Sequence, residues 1–320
     1  MGLRVTVTGG AGFIGSHLVD ALLDAGHSVT VVDNFSTGFH ENLNAKAALC
    51  EADICEIDWG KFFKAYATDV VYHLAAQLDV RKSVADPMYD FSVNMTASVR
   101  LLNASVDNGV KRILFTSSGG AGYGSPDPKF IPVTEEYAPI PMSPYGAAKM
   151  SFDLFLAATA YTKPIKFVSC RLGNVFGPRQ NPWGEAGVVA IFAEQMESRK
   201  QPVIFGNGHD TTRDYVYVGD VVRGFVIALE KGDNHWINLG TSIAVTVDEI
   251  FNAVKAATGS SFTQKYAPIR PGEDYRIALS NELAKKLLGW EPTVSLREGI
   301  AEYVKWYRAR CSLGPLSDRK

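Results

Sequence analysis

Tyr145 and Lys149 stand four positions apart in SPYGAAKMSF (143–152), at the start of an apolar-periodic run, so a helix there puts a phenol and an ammonium on one face. A free phenol titrates near pH ~10 and is a poor base at neutral pH, but a neighbouring ammonium favours the phenolate and draws it toward the working range. The pair is a candidate proton-transfer couple. Many solvated helices carry a tyrosine and a lysine at this spacing, so its meaning depends on what surrounds it. Upstream, RILFTSSGGAGYG (112–124) reads as a strand that carries the hydroxyls of Ser117 and Ser118 to the edge of a sheet.

A second constellation lies at the start of the chain. VTVTGGAGFIGSHLV places Gly9, Gly12 and Gly15 directly after a strand pattern and at the opening of a helix. Glycines in that position allow a tight turn, a close backbone approach to a pyrophosphate, and an anion at the helix N-terminus. At the end of the next strand pattern comes Asp33, which can accept hydrogen bonds from both ribose hydroxyls of an adenosine and repels a 2′-phosphate, favouring NAD over NADP. Asp53 in EADICE is placed to reach the adenine amino group, and the turn after HLAAQ to lie along the pyrophosphate and nicotinamide ribose. The cofactor contacts expected around these anchors are Phe13, Ile14, Asn34, Ser36, Gly38, Ile54, Leu74, Ala75, Ala76 and Asn94, with Lys149 shared between cofactor and chemistry.

The elements that must hold these residues alternate strand and helix: LRVTVTG, SHLVDALLDAG, SVTVVD, then DVVYHLA and KRILFTSS. That alternation predicts an α/β fold with a doubly wound parallel sheet of Rossmann type, its binding crevice at the carboxyl ends of the strands. Helices are expected over 96–110, ended by Gly109, and from Tyr145 to about Tyr161. Beyond KFVSCRLGN the texture becomes richer in Gly, Pro and Asn. The expected division is therefore a dinucleotide-binding domain at 1–172, with a return segment near 214–240, and a second, smaller α/β substrate-binding domain at 173–320.

At 320 residues the chain is long enough for two lobes, and 46% hydrophobic content fills both. The balance of 32 basic and 34 acidic residues, without a charged block, argues against nucleic acid or a membrane surface as partner. Cys50, Cys55, Cys170 and Cys311 lack metal-cage spacing and read as free thiols of a reducing cytoplasm, with no metal expected. No secretion leader or membrane-length apolar run is visible. MGLRVT fits a myristoylation pattern and NFS, NMT and NAS fit glycosylation acceptors, but a buried strand and the missing leader give both the plainer reading.

With the glycine motif, Asp33, TSSGGAGYG and YGAAK in this order, the chain resembles the extended short-chain dehydrogenase/reductases, and among them the UDP-galactose (UDP-glucose) 4-epimerases. NVFGPRQ (174–180), FGNGHDTTRDYVYVGDV (205–221), INLGT (237–241) and RPGE (270–273) extend the resemblance over nearly the whole length. The resemblance implies that Tyr145 is the catalytic base and that Lys149 grips the nicotinamide ribose. It implies Ser118 as the catalytic serine, with Ser117 the close alternative because the segment is one residue longer than the usual SSATVYG. It further implies nucleotide-sugar contacts from Asn174, Arg179, Val188 and Phe205, a diphosphate clamp of Arg213 and Arg270, Glu273 where an aspartate usually meets the uridine ribose, and a homodimer built from the helices after Thr96 and from Tyr145.

The reaction so implied is NAD-dependent 4-epimerisation of a UDP-hexose through a transient 4-keto sugar, with UDP-glucose and UDP-galactose as the leading pair. The related 4,6-dehydratases carry Thr-Asp-Glu where this chain has Ser117, Ser118 and Gly119, which disfavours dehydration. UDP-glucuronate and UDP-N-acetylglucosamine remain open as substrates. Arg179, or Arg81 and Lys82, suits a C6 carboxylate, while domain packing is the plainer role for Arg179. Ile277, four residues past Glu273, stands where bulk decides whether an N-acetyl group fits, and is neither large nor small. A reductase on the same scaffold conflicts with Asp33 if it uses NADPH. A non-catalytic NAD sensor has no need of Tyr145, Lys149 and the paired serines.

Overall fold

The computed structural model describes residues 2–183, 187–269 and 276–312. Strands β1 (Arg4–Thr8), β2 (Ser28–Asp33), β3 (Ala48–Glu51), β4 (Val70–His73), β5 (Arg112–Ser118) and β6 (Lys166–Leu172) join the strand His235–Leu239 in one parallel sheet. The order across it is His235–Leu239, β6, β5, β4, β1, β2, β3. Strands such as β1 and β4 are buried on both faces, which is why their sequences run apolar without strict alternation.

Helices Phe13–Asp24 and Val218–Ala228 cover one face, packing Leu18, Leu22, Val221 and Phe225 onto it. Ser98–Asp107 and Pro144–Thr162 cover the other with Leu101, Leu102, Phe152 and Leu156. The helix expected over 96–110 starts irregularly: a π-helical turn, Ser92–Ala97, precedes its α-helical part, and Gly109 at φ +72° stops it. Pro144–Thr162 starts where Pro144 occupies the first helical position and the Ser143 hydroxyl accepts from the Gly146 N–H at 3.1 Å. The segment 214–240 supplies Val218–Ala228 and His235–Leu239 to these layers.

Beyond β6 a separate core forms from helices Val188–Glu197, Val247–Thr258 and Leu296–Ser312, with Phe192, Ile250, Phe251, Tyr303 and Tyr307 buried between them. Three two-stranded ribbons edge it: Asn174–Phe176 with Tyr215–Tyr217, Thr212–Arg213 with Val245–Thr246, and Ile204–Phe205 with Tyr266–Ala267. The junction with the main sheet is continuous. The Gly173 N–H donates to Leu239 O at 3.2 Å, and the Asn174 N–H donates to Asp214 O at 2.6 Å.

Asp214, 1% exposed, ties this junction together. Its Oδ1 accepts from the Thr241 N–H (2.8 Å) and hydroxyl (2.7 Å), and its Oδ2 from the Leu279 (2.9 Å) and Ser242 (3.2 Å) N–H groups. A Cβ on Gly240 would lie 2.6 Å from that Oδ2, so glycine is required for the approach. All four cysteines are free thiols. Among the described residues no helix is long and apolar enough to cross a membrane.

Candidate active site

β1 lies between β2 and β4, so the crevice at their carboxyl ends is the switch point where a doubly wound sheet takes a dinucleotide. The glycine turn closes over it. Gly9 has φ +72°, and a Cβ there would stand 2.7 Å from the Ala75 backbone nitrogen, while a Cβ on Gly15 would drive into the Gly9 carbonyl oxygen. Helix Phe13–Asp24 then opens at Gly12 with no side-chain cap, leaving the N–H groups of its first turn, at Phe13 and Ile14, for an anion.

Asp33 ends β2 only 7% exposed. Its Oδ2 accepts from the Ala11 N–H and its Oδ1 from the Phe35 N–H, both at 2.9 Å. Burial pushes its carboxyl up from the ordinary value, against the pull of those two donors. Gly38 packs against this carboxylate, and the residues from Asn34 to Gly38 include no basic side chain to receive a 2′-phosphate. Asn34 donates to Asp53 at 2.8 Å and accepts from the Ser36 N–H at 3.0 Å, while Asp53 also accepts from the Cys55 N–H at 2.7 Å beside buried Ile54. The N–H groups of Leu74 and Ala75 both reach Thr8 Oγ1 at 3.2 Å, with half-buried Ala76 next. Asn94 fixes the following turn by two bonds to the Gln77 backbone, at 2.8 and 3.0 Å. These residues and the glycine turn form one rim, and their donor set fits NAD.

β5 and helix Pro144–Thr162 meet at the same edge. Lys149 is 3% exposed, and its Nζ donates to Thr116 O at 3.0 Å, above the Phe115 ring (4.7 Å) and near the Tyr145 ring (5.9 Å). Burial lowers its pKa to about 8, although Asp153 and Asp90 pull the other way. The two serines part company because successive side chains on a strand point to opposite faces. Ser117 is buried and donates to Asp153 Oδ2 at 3.3 Å, whereas half-exposed Ser118 accepts from the Ala121 N–H at 3.2 Å and caps the turn Gly119–Gly122.

Several polar residues here escaped the sequence reading. Asp153 is fully buried; it accepts from Ser169 (2.5 Å) and Arg171 (2.9 Å), and Arg171 donates onward to the Tyr123 hydroxyl at 2.9 Å. Its place one turn after Lys149, inside an apolar run, was the available signal. Gln77 carried none, because its partnership with Asp90 and Asn94 is tertiary, whereas Asp90 stands four residues before its partner Asn94.

On the substrate side, a Cβ on Gly120 would lie 3.6 Å from Asn174 Oδ1, which puts that amide over the Ser118–Gly122 turn. Val188 opens its helix, and Phe205 and Arg213 are half-buried on short ribbons, with Arg213 Nη1 donating to Thr212 O at 3.0 Å. A groove of about 640 Å³ adjoins them, lined by Gly206, Asn207, Tyr266 and Ile269. Arg179 departs from the expected place beside the hexose: at φ +68° it sends Nη2 to Asp20 Oδ2 at 2.8 Å on helix Phe13–Asp24. This is the packing arrangement between lobes. Ile277 is 1% exposed in a cluster with Tyr123, Val133 and Leu279, so its bulk is committed to a core. Arg81 and Lys82 are exposed, the latter over the Tyr89 ring. Arg270 and Glu273 lie outside the described residues.

Residues 5–240 match the NAD dependent epimerase/dehydratase family. The chain belongs to this family. Among its relatives, a UDP-glucose 4-epimerase of Mycolicibacterium smegmatis is 41% identical over 312 residues, covering 96% of this chain and 99% of the relative. The crystal structure of the Thermotoga maritima UDP-glucose 4-epimerase with UDP-glucose is similar at a TM-score of 0.93 and 45% identity, over 96% of this chain and 99% of the other. The Thermus thermophilus UDP-glucose 4-epimerase in complex with NAD gives 0.91 and 40% over the same shares. The likeness to these three epimerases thus extends over nearly the full length, including the helices beyond β6.

Proposed function

We propose that this protein is an NAD-dependent UDP-glucose 4-epimerase that interconverts UDP-glucose and UDP-galactose. The observation that carries the reading is the placement of Lys149, bonded to Thr116 O under the Tyr145 ring, where β5 meets the dinucleotide rim. NAD held at the rim would supply a hydride acceptor and, once reduced, a hydride donor for C4 of the sugar. The chain's own residues supply the rest. Tyr145 takes the proton of the 4-hydroxyl and gives it back, helped by the Lys149 ammonium, which favours the phenolate. Ser118 is the catalytic serine, because its hydroxyl stays half-exposed at the strand end while Ser117 is committed to Asp153. Asn174, Val188, Phe205 and Arg213 hold the nucleotide, together with Arg270 and Glu273. A firm hold on the nucleotide and a loose one on the hexose let the keto sugar turn over without escaping.

The enzyme acts as a homodimer in the cytoplasm. Leu154, Phe155 and Tyr161 on helix Pro144–Thr162, one of the two expected helices, are exposed apolar side chains, and Met88 and Phe91 on the short helix Pro87–Phe91 are exposed as well. The four free thiols suit a reducing compartment. The test is a proton NMR time course with separate UDP-glucose, UDP-N-acetylglucosamine and UDP-glucuronate samples, using Tyr145→Phe as control. Growth of the C4 epimer of UDP-glucose to an equilibrium mixture without free NADH is expected, and is lost in the variant. Stoichiometric NADH release, or unaltered turnover in Tyr145→Phe, overturns the assignment.

A further inference from the structure

β5, β6 and the strand His235–Leu239 lie side by side, and their register sets Ser117, Arg171 and Asn238 opposite one another as a buried polar row across the sheet. Helix Pro144–Thr162 meets this row through Asp153, which accepts from Ser117 at 3.3 Å and from Arg171 Nε at 2.9 Å. Tyr123 closes the row at its other end. Arg171 Nη1 can only donate, so the buried Tyr123 hydroxyl accepts from it at 2.9 Å and gives its own hydrogen to Asn238 Oδ1, also at 2.9 Å. The amide nitrogen of Asn238 is spent on Val133 O at 3.0 Å, and the guanidinium lies 5.3 Å over the Tyr123 ring.

Tyr123 also ends the turn that carries Ser118. β5 stops at Ser118, whose hydroxyl accepts from the Ala121 N–H, and the Tyr123 N–H returns to Gly119 O at 3.2 Å. The turn is wedged against the helix of Tyr145 and Lys149: a Cβ on Gly122 would drive into Met150, and one on Gly146 into the Ala121 carbonyl oxygen. Close packing sets how near the turn comes to the helix, but it is non-directional; the two bonds of the phenol are directional and fix its orientation.

We propose that Tyr123 is a positioning residue for Ser118: through Arg171 its hydroxyl ties the Ser118–Gly122 turn to Asp153, one turn beyond Lys149 on the helix that carries Tyr145, and so sets the spacing of the serine and tyrosine that share the sugar 4-hydroxyl. Tyr123 is fully buried and works through Ser118.

The kinetic consequence rests on the epimerase reading, while the placement of Ser118 stands without it. Tyr123→Phe keeps the ring and removes only the hydroxyl. It is compared, as NAD-loaded protein, with wild type, Ser118→Ala and the double variant. In Tyr123→Phe, kcat should fall about 10–100-fold with the KM for UDP-glucose within about twofold of wild type, and the substitution should add nothing to the loss already present in Ser118→Ala. Losses that multiply in the double variant, an unchanged kcat, or a change in KM alone overturn the proposal. Arg171→Lys keeps a charge beside Asp153 but lacks the fork that reaches both partners, and it should repeat the pattern if Tyr123→Phe does not fold. A second readout needs no turnover: the β-carbon NMR signal of Ser118 in serine-labelled protein, assigned from Ser118→Ala, should shift or broaden in Tyr123→Phe. An unmoved signal overturns the placement. If the wild type does not epimerise at all, the functional reading fails, and the Ser118 signal still decides the role of Tyr123.

Discussion

Replacing Asp214 by Asn changes one atom of a side chain that no ligand need touch, yet it should weaken the whole second lobe. Burial pushes this carboxyl up from the ordinary range. Donors nevertheless meet both of its oxygens, from Thr241 on one and Leu279 and Ser242 on the other, so a proton there would have nothing to bond. The group is the anion. Asparagine can offer its oxygen to one side only, and its NH2 then faces two donors on the other. Hydrogen bonds to a charged acceptor are worth about 1.5–3 kcal/mol each, so losing two costs about 3–6 kcal/mol. At about 2 °C per kcal/mol for a chain of this length, the melting temperature should fall by roughly 6–12 °C. Calorimetry with and without saturating NAD measures it, with denaturant titration as a check on two-state behaviour. A fall below about 2 °C would show that the carboxyl is neutral in the fold and would refute the reasoning.

Three further outcomes are expected. Asp33→Ala removes the acceptor for the Ala11 and Phe35 N–H groups as well as the ribose contact, so NAD binding should weaken by about 1–3 kcal/mol and discrimination against NADP should relax; calorimetric titration of both cofactors tests it, and unchanged preference sinks the ribose assignment. Gly9→Ala puts an L-residue at φ +72° with its Cβ 2.7 Å from the Ala75 nitrogen, at a cost of about 2–4 kcal/mol; thermal unfolding and NAD affinity should both drop. With Lys149 lowered to about 8 in the folded state from 10.5, turnover should fall as pH rises through about 8. The stability sign is opposite. The unfolded chain binds more protons between those two values, so the destabilisation from burying the ammonium is present below about 8 and relieved as pH climbs toward 10.5, a slope that Lys149→Met should abolish.

What could be read from the sequence follows the range of the interactions involved. Gly9, Gly15 and Asp33 were legible because backbone geometry within one strand-turn-helix unit dictates their types. Tyr145 and Lys149 were legible as a spacing, and the parallel sheet as an alternation of runs. The choice between Ser117 and Ser118 was not, since it depends on which face of β5 meets Asp153 on a helix formed later in the chain. Arg179 sends its guanidinium to Asp20, a residue far away in sequence, and no local pattern signals that pairing. Ile277 likewise packs on Tyr123 and Val133 through a tertiary contact, so counting along a motif does not reveal how much of its bulk faces a ligand. The Gln77–Asp90–Asn94 ring combines residues of three unremarkable types across two helices and a turn, and only their convergence gives them meaning.

The junction after β6 also constrains how the molecule can move. Gly173 bonds to the last residue of a sheet strand, Asn174 bonds to Asp214, and Asp214 grips backbone from the 241–242 and 279 segments. A hinge needs a few residues free to absorb large dihedral changes, and here Gly173, Asn174 and Asp214 are each engaged in a bond at the joint. The lobes therefore behave as a vice with its jaws already set. For an enzyme that must show both faces of one carbon to a single hydride carrier, the half-turn then falls to the bonds of the substrate rather than to the protein. New sugar specificities can arise on such a frame by reshaping loops around that swing, leaving the frame untouched.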